Sequence, residues 1–249
     1  MDESRHSAAI ILNRSDYRES DSLVTCYTRG YGKVSLMARG TKKLQSKLAG
    51  HLEPMSLVVI LIIKGKGFDY VGSALGTNAF LNIKDNLNKI YYCGRAFNWF
   101  NRLVKDGQSD ERLFFLLLRW LEVLDNYPPD EFTKENGELF FIFFALKLMS
   151  ELGYKPEMYE CLNCRKKIEP GKNYFNLKNG GIICEECFSK ERLTRDMPAL
   201  EILTISDNCI KLMRFIMDNR LDMAKKLKID KKVIKELSVL TLSFLNFHS

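Results

Sequence analysis

Four cysteines, spaced in a way that suits one metal ion, give the clearest chemical signal in the chain. Cys161 and Cys164 form one Cys-x-x-Cys pair, Cys184 and Cys187 form a second, and nineteen residues separate the pairs. Each pair lets two thiolates turn towards one ion, and two pairs complete a tetrahedral shell. A full shell leaves no open position for substrate, so we expect a structural zinc, one per chain, rather than a catalytic metal.

The cysteine pattern leaves other metals and other thiol chemistry open. Four thiolates also suit an iron centre, and a Cys-x-x-Cys pair can be redox-active, so the sequence alone excludes neither. The chain shows no secretion signal, which favours metal binding over disulfides for its seven cysteines. The remaining three, Cys26, Cys93 and Cys209, fall within strand or helix patterns, and we expect them to be buried.

The second chemical signal is a concentration of positive charge. Residues 29–66 contain eight Lys and Arg residues against a single Glu, so this window has the same net charge as the whole chain, +7, whereas residues 81–160 are acidic. Such asymmetry predicts a polyanion-binding face, although a solvated basic surface that only keeps the protein soluble is the alternative. The candidate DNA-binding residues are Lys33, Arg39, Lys42, Lys43, Lys47, Lys64 and Lys66.

Motifs typical of enzymes are missing from the sequence. The chain has three histidines, none of them near a Ser or Cys nucleophile pattern, and it has neither a P-loop nor an HExxH motif. An enzyme that used the zinc insert would need an open coordination position, which four cysteines do not leave. We therefore expect a binding protein and no catalytic residues.

The apolar stretches are too short to cross a membrane. The longest are Met55–Ile63 and Leu139–Leu146, well below the roughly 20 residues that a membrane helix needs. No targeting segment is evident at the N-terminus. We expect a soluble, cytoplasmic protein without a membrane partner.

The elements that must position these residues begin with a β-rich segment. Residues 8–77 read as five strands joined by short turns, with one long connection between the third and fourth strands. This pattern favours a five-stranded OB-fold barrel, in which a long connection occupies that place. The basic segment 38–54 is that connection, and we expect it to be conformationally loose.

Helical periodicity replaces the strand pattern from about residue 82 onwards. The predicted fold is therefore α+β and multidomain, with an N-terminal OB-fold barrel, an α-helical body and an inserted Cys₄ zinc module. The predicted limits are 1–80 for the nucleic-acid-binding barrel, 81–157 for the first helical part, 158–190 for the zinc module and 191–249 for the C-terminal helical part.

Several short motifs in the first part of the chain resemble the RecO family of bacterial recombination mediators. They are Asp16-Tyr17-Arg18-Glu19 followed by Asp21, then Gly32-Lys33-Val34, Ala38-Arg39-Gly40 and Leu52-Glu53-Pro54. The order of barrel, helical body and Cys₄ module also resembles that family, so the similarity spans the whole chain. Some members lack the zinc cysteines, but all four are present in this sequence.

The resemblance implies a function in DNA repair and homologous recombination. RecO-like proteins bind single- and double-stranded DNA, anneal complementary strands and have no enzymatic turnover. With RecR, and in some lineages RecF, they load RecA onto DNA that is coated by single-stranded-DNA-binding protein (SSB). They also recognise the C-terminal tail of SSB through the helical body. The resemblance thus implies a nucleoid-associated location and these protein partners.

The residues themselves fit binding that does not depend on base sequence. Cations on the long connection can neutralise phosphates, and nothing in their arrangement suggests recognition of base edges. Tyr27, Tyr31, Phe68 and Tyr70 are candidates for stacking on bases, although strand alternation will bury some of them. The acids of residues 16–19 would repel phosphate.

We interpret residues 16–19 as a turn network, in which Asp16 caps the turn and Arg18 pairs with an acid. A contact with RecR is the alternative function of this segment. For the protein as a whole, two alternatives to DNA binding stay open: an RNA-binding module with an OB-fold and a zinc ribbon, and a protein-only adaptor whose basic face meets an acidic partner.

Overall fold

The computed structural model describes residues 4–194 and 201–249. Residues 195–200, which belong to the predicted C-terminal helical part, lie outside the described residues. The chain divides into two compact units, residues 1–131 and residues 132–249, and each is described by itself. In the described parts, no helix has both the length and the apolar character that crossing a membrane would require.

Five strands of the first unit form one closed sheet in the order β1-β2-β3-β5-β4. β1 pairs with both β2 and β4, which closes the sheet, and β3 pairs in parallel with β5. This confirms the five predicted strands. They are β1 (Ser4–Tyr17), β2 (Asp21–Thr28), β3 (Gly32–Ala38), β4 (Leu57–Ile63) and β5 (Asp69–Asn78).

Alternation along the strands fills the interior of this barrel with apolar side chains. On β4, for example, Val58, Ile60 and Ile62 are buried, whereas Val59 between them is 44% exposed. Leu52, from the connection between β3 and β4, also belongs to this core. The other buried members are Ala9, Ile11, Val24, Cys26, Leu36, Ala38 and Val71.

Three helices complete the first unit: α1 (Leu81–Lys84), α2 (Leu87–Leu103) and α3 (Glu111–Asp125). The side chain of Asn86 caps α2 by accepting from the N–H of Lys89, and Asp110 caps α3 in the same way. Lys89 is itself fully buried, and its ammonium donates to the carbonyl oxygen of Tyr127 at 2.7 Å. A buried lysine here satisfies a backbone acceptor just beyond the end of α3.

The connection between α2 and α3 packs closely on the barrel. Tyr27 on β2 is fully buried, and its hydroxyl accepts from the N–H of Asp110 at 3.0 Å. The N–H of Gly107 donates to the carbonyl oxygen of Lys33 at 2.9 Å. Gly32 leaves no room for a larger residue, because a Cβ atom there would lie 2.2 Å from the carbonyl oxygen of Gln108.

The second unit combines helices with a small sheet. Its helix α4 is buried on nearly all sides, since eleven of its eighteen residues are buried. A three-stranded sheet has the order β7-β6-β8, and its third strand was not predicted from the sequence. The elements are α4 (Lys134–Glu151), β6 (Asn173–Asn176), β7 (Gly181–Cys184), α5 (Glu185–Thr194), β8 (Ile202–Ile205), α6 (Asp207–Asp218) and α7 (Lys231–Phe247).

The three cysteines outside the Cys-x-x-Cys pairs are buried, as predicted. Cys26, Cys93 and Cys209 have no exposed surface. Burial raises the pKa of the Cys26 and Cys209 thiols to about 12 and also raises that of Cys93, because a thiolate is poorly solvated in an apolar core. These thiols are therefore protonated and serve as core residues.

Candidate metal centre and nucleic-acid interface

The four predicted metal ligands come together within the second unit. Cys161 and Cys164 lie in the segment between α4 and β6, Cys184 ends β7, and Cys187 lies in the first turn of α5. Their four sulfur atoms all lie within 4.8 Å of one another. One ion at their centre would have four thiolate ligands, which is the arrangement that the sequence predicts.

Local backbone geometry turns the first pair of cysteines towards the second. Arg165, directly after the first pair, has a left-handed φ of 61°, and its N–H donates to the carbonyl oxygen of Cys161 at 3.0 Å. The N–H of Cys184 then donates to the sulfur of Cys161 at 3.4 Å. The N–H of Leu162 donates to the carbonyl oxygen of Ile182 at 2.9 Å and ties the pair to β7.

Electrostatics at the cluster favour a dication. Burial raises the pKa of the Cys161 thiol, but the backbone N–H groups of Cys164 and Cys184 outweigh burial, so the pKa falls to about 7. Burial and the Cys161 sulfur raise the pKa of Cys184, and burial and the other three sulfur atoms raise the pKa of Cys187. The Cys161 thiol thus deprotonates readily, and its negative charge disfavours deprotonation of the neighbouring thiols. A bound cation would offset this repulsion between thiolates.

Three lysines near the cysteine cluster have carboxylate partners. Lys172 pairs with Glu185 at 3.4 Å, while Lys166 and Lys190 pair with Glu186 at 3.7 Å and 2.6 Å. Both glutamates lie in the first turn of α5, where the helix dipole also favours negative charge. Much of the positive charge on this part of the surface is therefore neutralised.

The predicted DNA-binding cations cluster around the β3–β4 connection, residues 39–56, in the first unit. Hydrogen bonds fix the start of this connection to the β1–β2 hairpin. The N–H of Gly40 donates to the Asp21 carboxylate at 2.8 Å, and the hydroxyls of Thr41 and Ser22 are 2.7 Å apart. The N–H of Lys42 donates to the carbonyl oxygen of Ser20 at 3.1 Å.

The far end of the β3–β4 connection is held as well. The guanidinium of Arg14 donates to the carbonyl oxygen of Ala49 at 2.9 Å and to the Glu53 carboxylate at 2.8 Å. Residues Ala49–Leu52 form a short 3₁₀ helix. The expectation of a loose segment is therefore wrong at both ends of the connection. Residues 43–47 form its middle part and lie between two ends that are hydrogen-bonded to the rest of the unit.

The predicted cations do not all remain available to a ligand. Lys33 pairs with Asp106 at 3.2 Å and donates to a backbone carbonyl oxygen at 2.6 Å, and its side chain is only 12% exposed. Lys42 pairs with Asp16 at 2.8 Å. Arg39 is exposed and lies over the ring of Tyr70, 4.1 Å from its centroid.

Four predicted cations are exposed and have no ion-pair partner among the described residues. Lys43 and Lys47 lie on the β3–β4 connection, and Lys64 and Lys66 lie on the turn between β4 and β5. With Arg39 they form the positive surface of the first unit, which we call the cationic surface (Arg39, Lys43, Lys47, Lys64 and Lys66).

The aromatic candidates divide between core and surface. Tyr27 lies in the core, so a stacking function is wrong for this residue. Tyr31 is partly buried and has the guanidinium of Arg5 over its ring at 5.4 Å. Phe68 is 44% exposed, and Tyr70 lies beneath Arg39.

Residues 16–21 anchor the β3–β4 connection. Asp16 is the partner of Lys42, whereas the guanidinium of Arg18 lies over the ring of Tyr17 at 5.3 Å rather than pairing with an acid as predicted. The N–H of Gly40, and then the charges of Arg18 and Arg39, lower the pKa of Asp21. The acids of this hairpin hold the basic segment in place, and the sequence interpretation of residues 16–19 as a turn network did not predict this contact.

Comparison with known proteins places the whole chain within one family. The family model described as Recombination protein O N terminal matches residues 1–80, and that described as Recombination protein O C terminal matches residues 84–249. DNA repair protein RecO of Dehalococcoides mccartyi strain BAV1 is 31% identical over 235 residues, which are 93% of this chain and 85% of the relative. Its counterpart in Roseiflexus sp. strain RS-1 is 30% identical over 95% of this chain and 78% of the relative.

Proposed function

The chain belongs to the RecO family of DNA repair proteins, and we propose that its first unit binds DNA strands by charge, without reading base sequence. The observation that carries this proposal is the cationic surface, whose five residues lack ion-pair partners in the described chain while the connection that bears three of them is anchored at both ends. Phosphates that meet such a surface displace their counterions, and this release drives binding.

The geometry of the barrel supports the same proposal. Its strand order and long third connection suit an OB-fold, which binds a strand across one face and grips it with loops. The contacts of Arg39 with Tyr70 and of Tyr17 with Phe68 bring the β3–β4 connection and the β4–β5 turn to one side of the barrel. A single strand could then meet cations from both segments.

The family suggests a wider role that extends this proposal. We propose that the protein is a mediator rather than an enzyme and that it anneals complementary strands. With RecR, and with RecF in lineages that use it, it helps RecA to replace SSB. We also propose that the second unit supplies the contact with the SSB tail. Annealing of complementary strands, with and without SSB and without nucleotide, is the direct assay of this role.

We propose one structural zinc in the second unit, held by Cys161, Cys164, Cys184 and Cys187. Support comes from the donor set, since four converging thiolates fit tetrahedral zinc and leave no position for a reacting water. Each strand of the β6–β7 hairpin has only four residues, and six of these eight residues are buried. A metal would stabilise this small segment further by linking its two cysteine pairs.

The charge proposal is tested by removing equal numbers of cations from two places. In the first variant Arg39, Lys43 and Lys47 become Ala, and in the second the paired lysines Lys166, Lys172 and Lys190 become Ala. We expect the first to weaken single-strand binding and to lower the salt slope by about 2, because each phosphate that the protein no longer neutralises reduces the slope by ~0.7. The second should change little. Fluorescence anisotropy at several salt concentrations measures both quantities.

Two results would contradict the proposal. If both triple variants bind DNA equally weakly, the cationic surface has no special role and only net charge matters. If the unaltered protein binds a protein partner but has negligible affinity for free DNA, it is an adaptor, and if it prefers structured RNA, it is a different nucleic-acid module.

A further inference from the structure

An arginine-covered group of aromatic rings lies beside the cationic surface. It consists of Tyr17, Phe68 and Tyr70 with Arg18 and Arg39, and we call it the aromatic surface. The rings of Tyr17 and Phe68 meet edge to face with their centroids 6.0 Å apart. The guanidinium of Arg18 lies 5.3 Å from the ring centre of Tyr17, and that of Arg39 lies 4.1 Å from that of Tyr70.

Stability of the barrel does not explain these rings. None of the three belongs to the apolar core of the barrel, and Phe68 is 44% exposed. Tyr27 shows what a structural ring looks like in this unit, because it is fully buried and its hydroxyl is hydrogen-bonded to the backbone of Asp110. The aromatic surface instead presents the ring of Phe68 to solvent, together with the exposed residues Arg18 and Arg39, whose guanidinium groups lie over the half-buried rings of Tyr17 and Tyr70.

We propose that the aromatic surface stacks the bases of an unpaired DNA strand and so makes the protein prefer single strands to duplex. This inference rests on the proposed DNA binding and adds a second source of binding energy to it. Rings and guanidinium planes both accept bases by stacking, and every base has a face to offer, so the contact is independent of sequence. In a duplex the base faces are covered by neighbouring bases, and only phosphates reach the protein.

The charges around the aromatic surface suit a strand that carries phosphates. Three nearby acids are engaged within the protein: Asp16 pairs with Lys42, and Asp21 and Asp69 accept from the N–H groups of Gly40 and Gly65. Glu19, next to Arg18, is exposed. Arg18 and Arg39 are exposed. A strand with its bases on the rings would therefore meet the two guanidinium charges and one exposed carboxylate, that of Glu19, so that the local charge is net positive.

Another aromatic–arginine pair in the same unit provides a matched control. Phe115 on α3 is 47% exposed, and the guanidinium of Arg29 lies 5.3 Å from its ring centre. This Arg29, however, pairs with Glu111 at 2.8 Å, so the charge beside that ring is already balanced. The control has the same chemistry and a similar exposure, but the cations near it are ion-paired, since Arg112 pairs with Asp110 and Arg119 with Glu122.

The experiment compares the double variant Tyr17→Leu/Phe68→Leu with Phe115→Leu in the full chain. The ligands are an oligothymidylate, the corresponding abasic strand and a duplex, each about twenty nucleotides long, which exceeds the ~4–16 nucleotides that one OB-fold covers. We expect the unaltered protein to bind the oligothymidylate at least about tenfold more tightly than the abasic strand. The double variant should lose this difference and keep its duplex affinity, and Phe115→Leu should behave like the unaltered protein.

The possible failures are distinguishable. If the unaltered protein binds neither strand nor duplex, the proposed DNA binding itself is wrong. If it binds DNA but the double variant still prefers bases to abasic sites, or loses strand and duplex affinity equally, the stacking proposal alone is overturned. Thermal unfolding reports whether the double variant is folded, and should it be unfolded, Phe68→Ser, which changes an exposed side chain, is put through the same comparison.

Discussion

The barrel and the segment that carries the four cysteines each contain a β-sheet, but different forces hold them together. Eleven buried residues form a continuous apolar core in the barrel, and close backbone contacts seal its edge at Gly32. The β6–β7 hairpin has only four residues in each strand and brings four cysteines together instead. A segment too small to bury a core can be stabilised by a metal, whereas a closed barrel does not need one.

The two regions also differ in how they use positive charge. Around the cysteines, Lys166, Lys172 and Lys190 each have a glutamate partner, whereas Lys43 and Lys47 on the barrel have none in the described chain. The number of lysines is therefore a poor guide to an interface. What distinguishes the cationic surface is that it has five charges without an ion-pair partner in the described chain, three of them on an anchored connection.

The largest expected effect tests the metal. Replacement Cys161→Ser removes one of four ligands, so the chain should no longer purify with one zinc, and the β6–β7 segment should become sensitive to proteolysis. Structural zinc typically contributes ~10–16 kcal/mol of apparent binding free energy, most of which requires the full ligand set. Elemental analysis and limited proteolysis measure the two effects. Cys209→Ser, a buried cysteine outside the cluster, is the control that should keep its zinc.

Stoichiometric zinc in the Cys161→Ser protein would show that the hairpin does not depend on the four-cysteine site. If the unaltered protein contained iron instead of zinc, the proposed four-cysteine site would be supported, but the proposed identity of the metal would be wrong.

The next effect tests the contact that seals the barrel. Gly32→Ala would place a Cβ atom 2.2 Å from the carbonyl oxygen of Gln108, whereas Gly107→Ala meets nothing within 4 Å. Both glycines have left-handed φ values, 69° and 73°, so the backbone strain is the same in the two variants. We expect Gly32→Ala to lower the free energy of unfolding by ~2 kcal/mol more than Gly107→Ala, because overpacking adds to the shared strain. Urea denaturation compares them, and equal losses would mean that the α2–α3 connection yields easily.

The smallest effect tests the anchor of the β3–β4 connection. The N–H of Gly40 and the charges of Arg18 and Arg39 lower the pKa of Asp21 in the folded protein. A lowered pKa stabilises the fold above the unfolded value of about 3.9, and this contribution is lost as the pH falls through the folded value. Asp21→Asn should therefore lower Tm slightly at neutral pH and match the unaltered protein in strong acid. Asp85→Asn, an exposed carboxylate, is the control, and a pH-independent difference for Asp21→Asn would point to weakened hydrogen bonds alone.

Features that depend on local spacing could be read directly from the sequence. The two Cys-x-x-Cys pairs predicted a cluster that the fold assembles, because a two-residue spacing already turns both thiolates to one side. Alternation and turn residues predicted the five strands of the barrel. The strand β8 escaped prediction, since it pairs with β6 across a long stretch of chain and its four residues carry no distinctive pattern.

The identity of the family, the four cysteines of the cluster and the strand content of the barrel were determined by the sequence alone, since each depends on residue types at short range. Only the tertiary structure decided which charged groups and aromatic rings are accessible to a ligand. Lys33 is neutralised by Asp106, which lies seventy-three positions along the chain, and Tyr27 is sealed into the core by the α2–α3 connection. Tyr17 and Arg18 join the surface because strands distant in sequence bring them beside Phe68. Whether a charge or a ring is available to a ligand depends on the residues that pack against it. Many of these residues are distant in the sequence, so a short motif cannot reveal them.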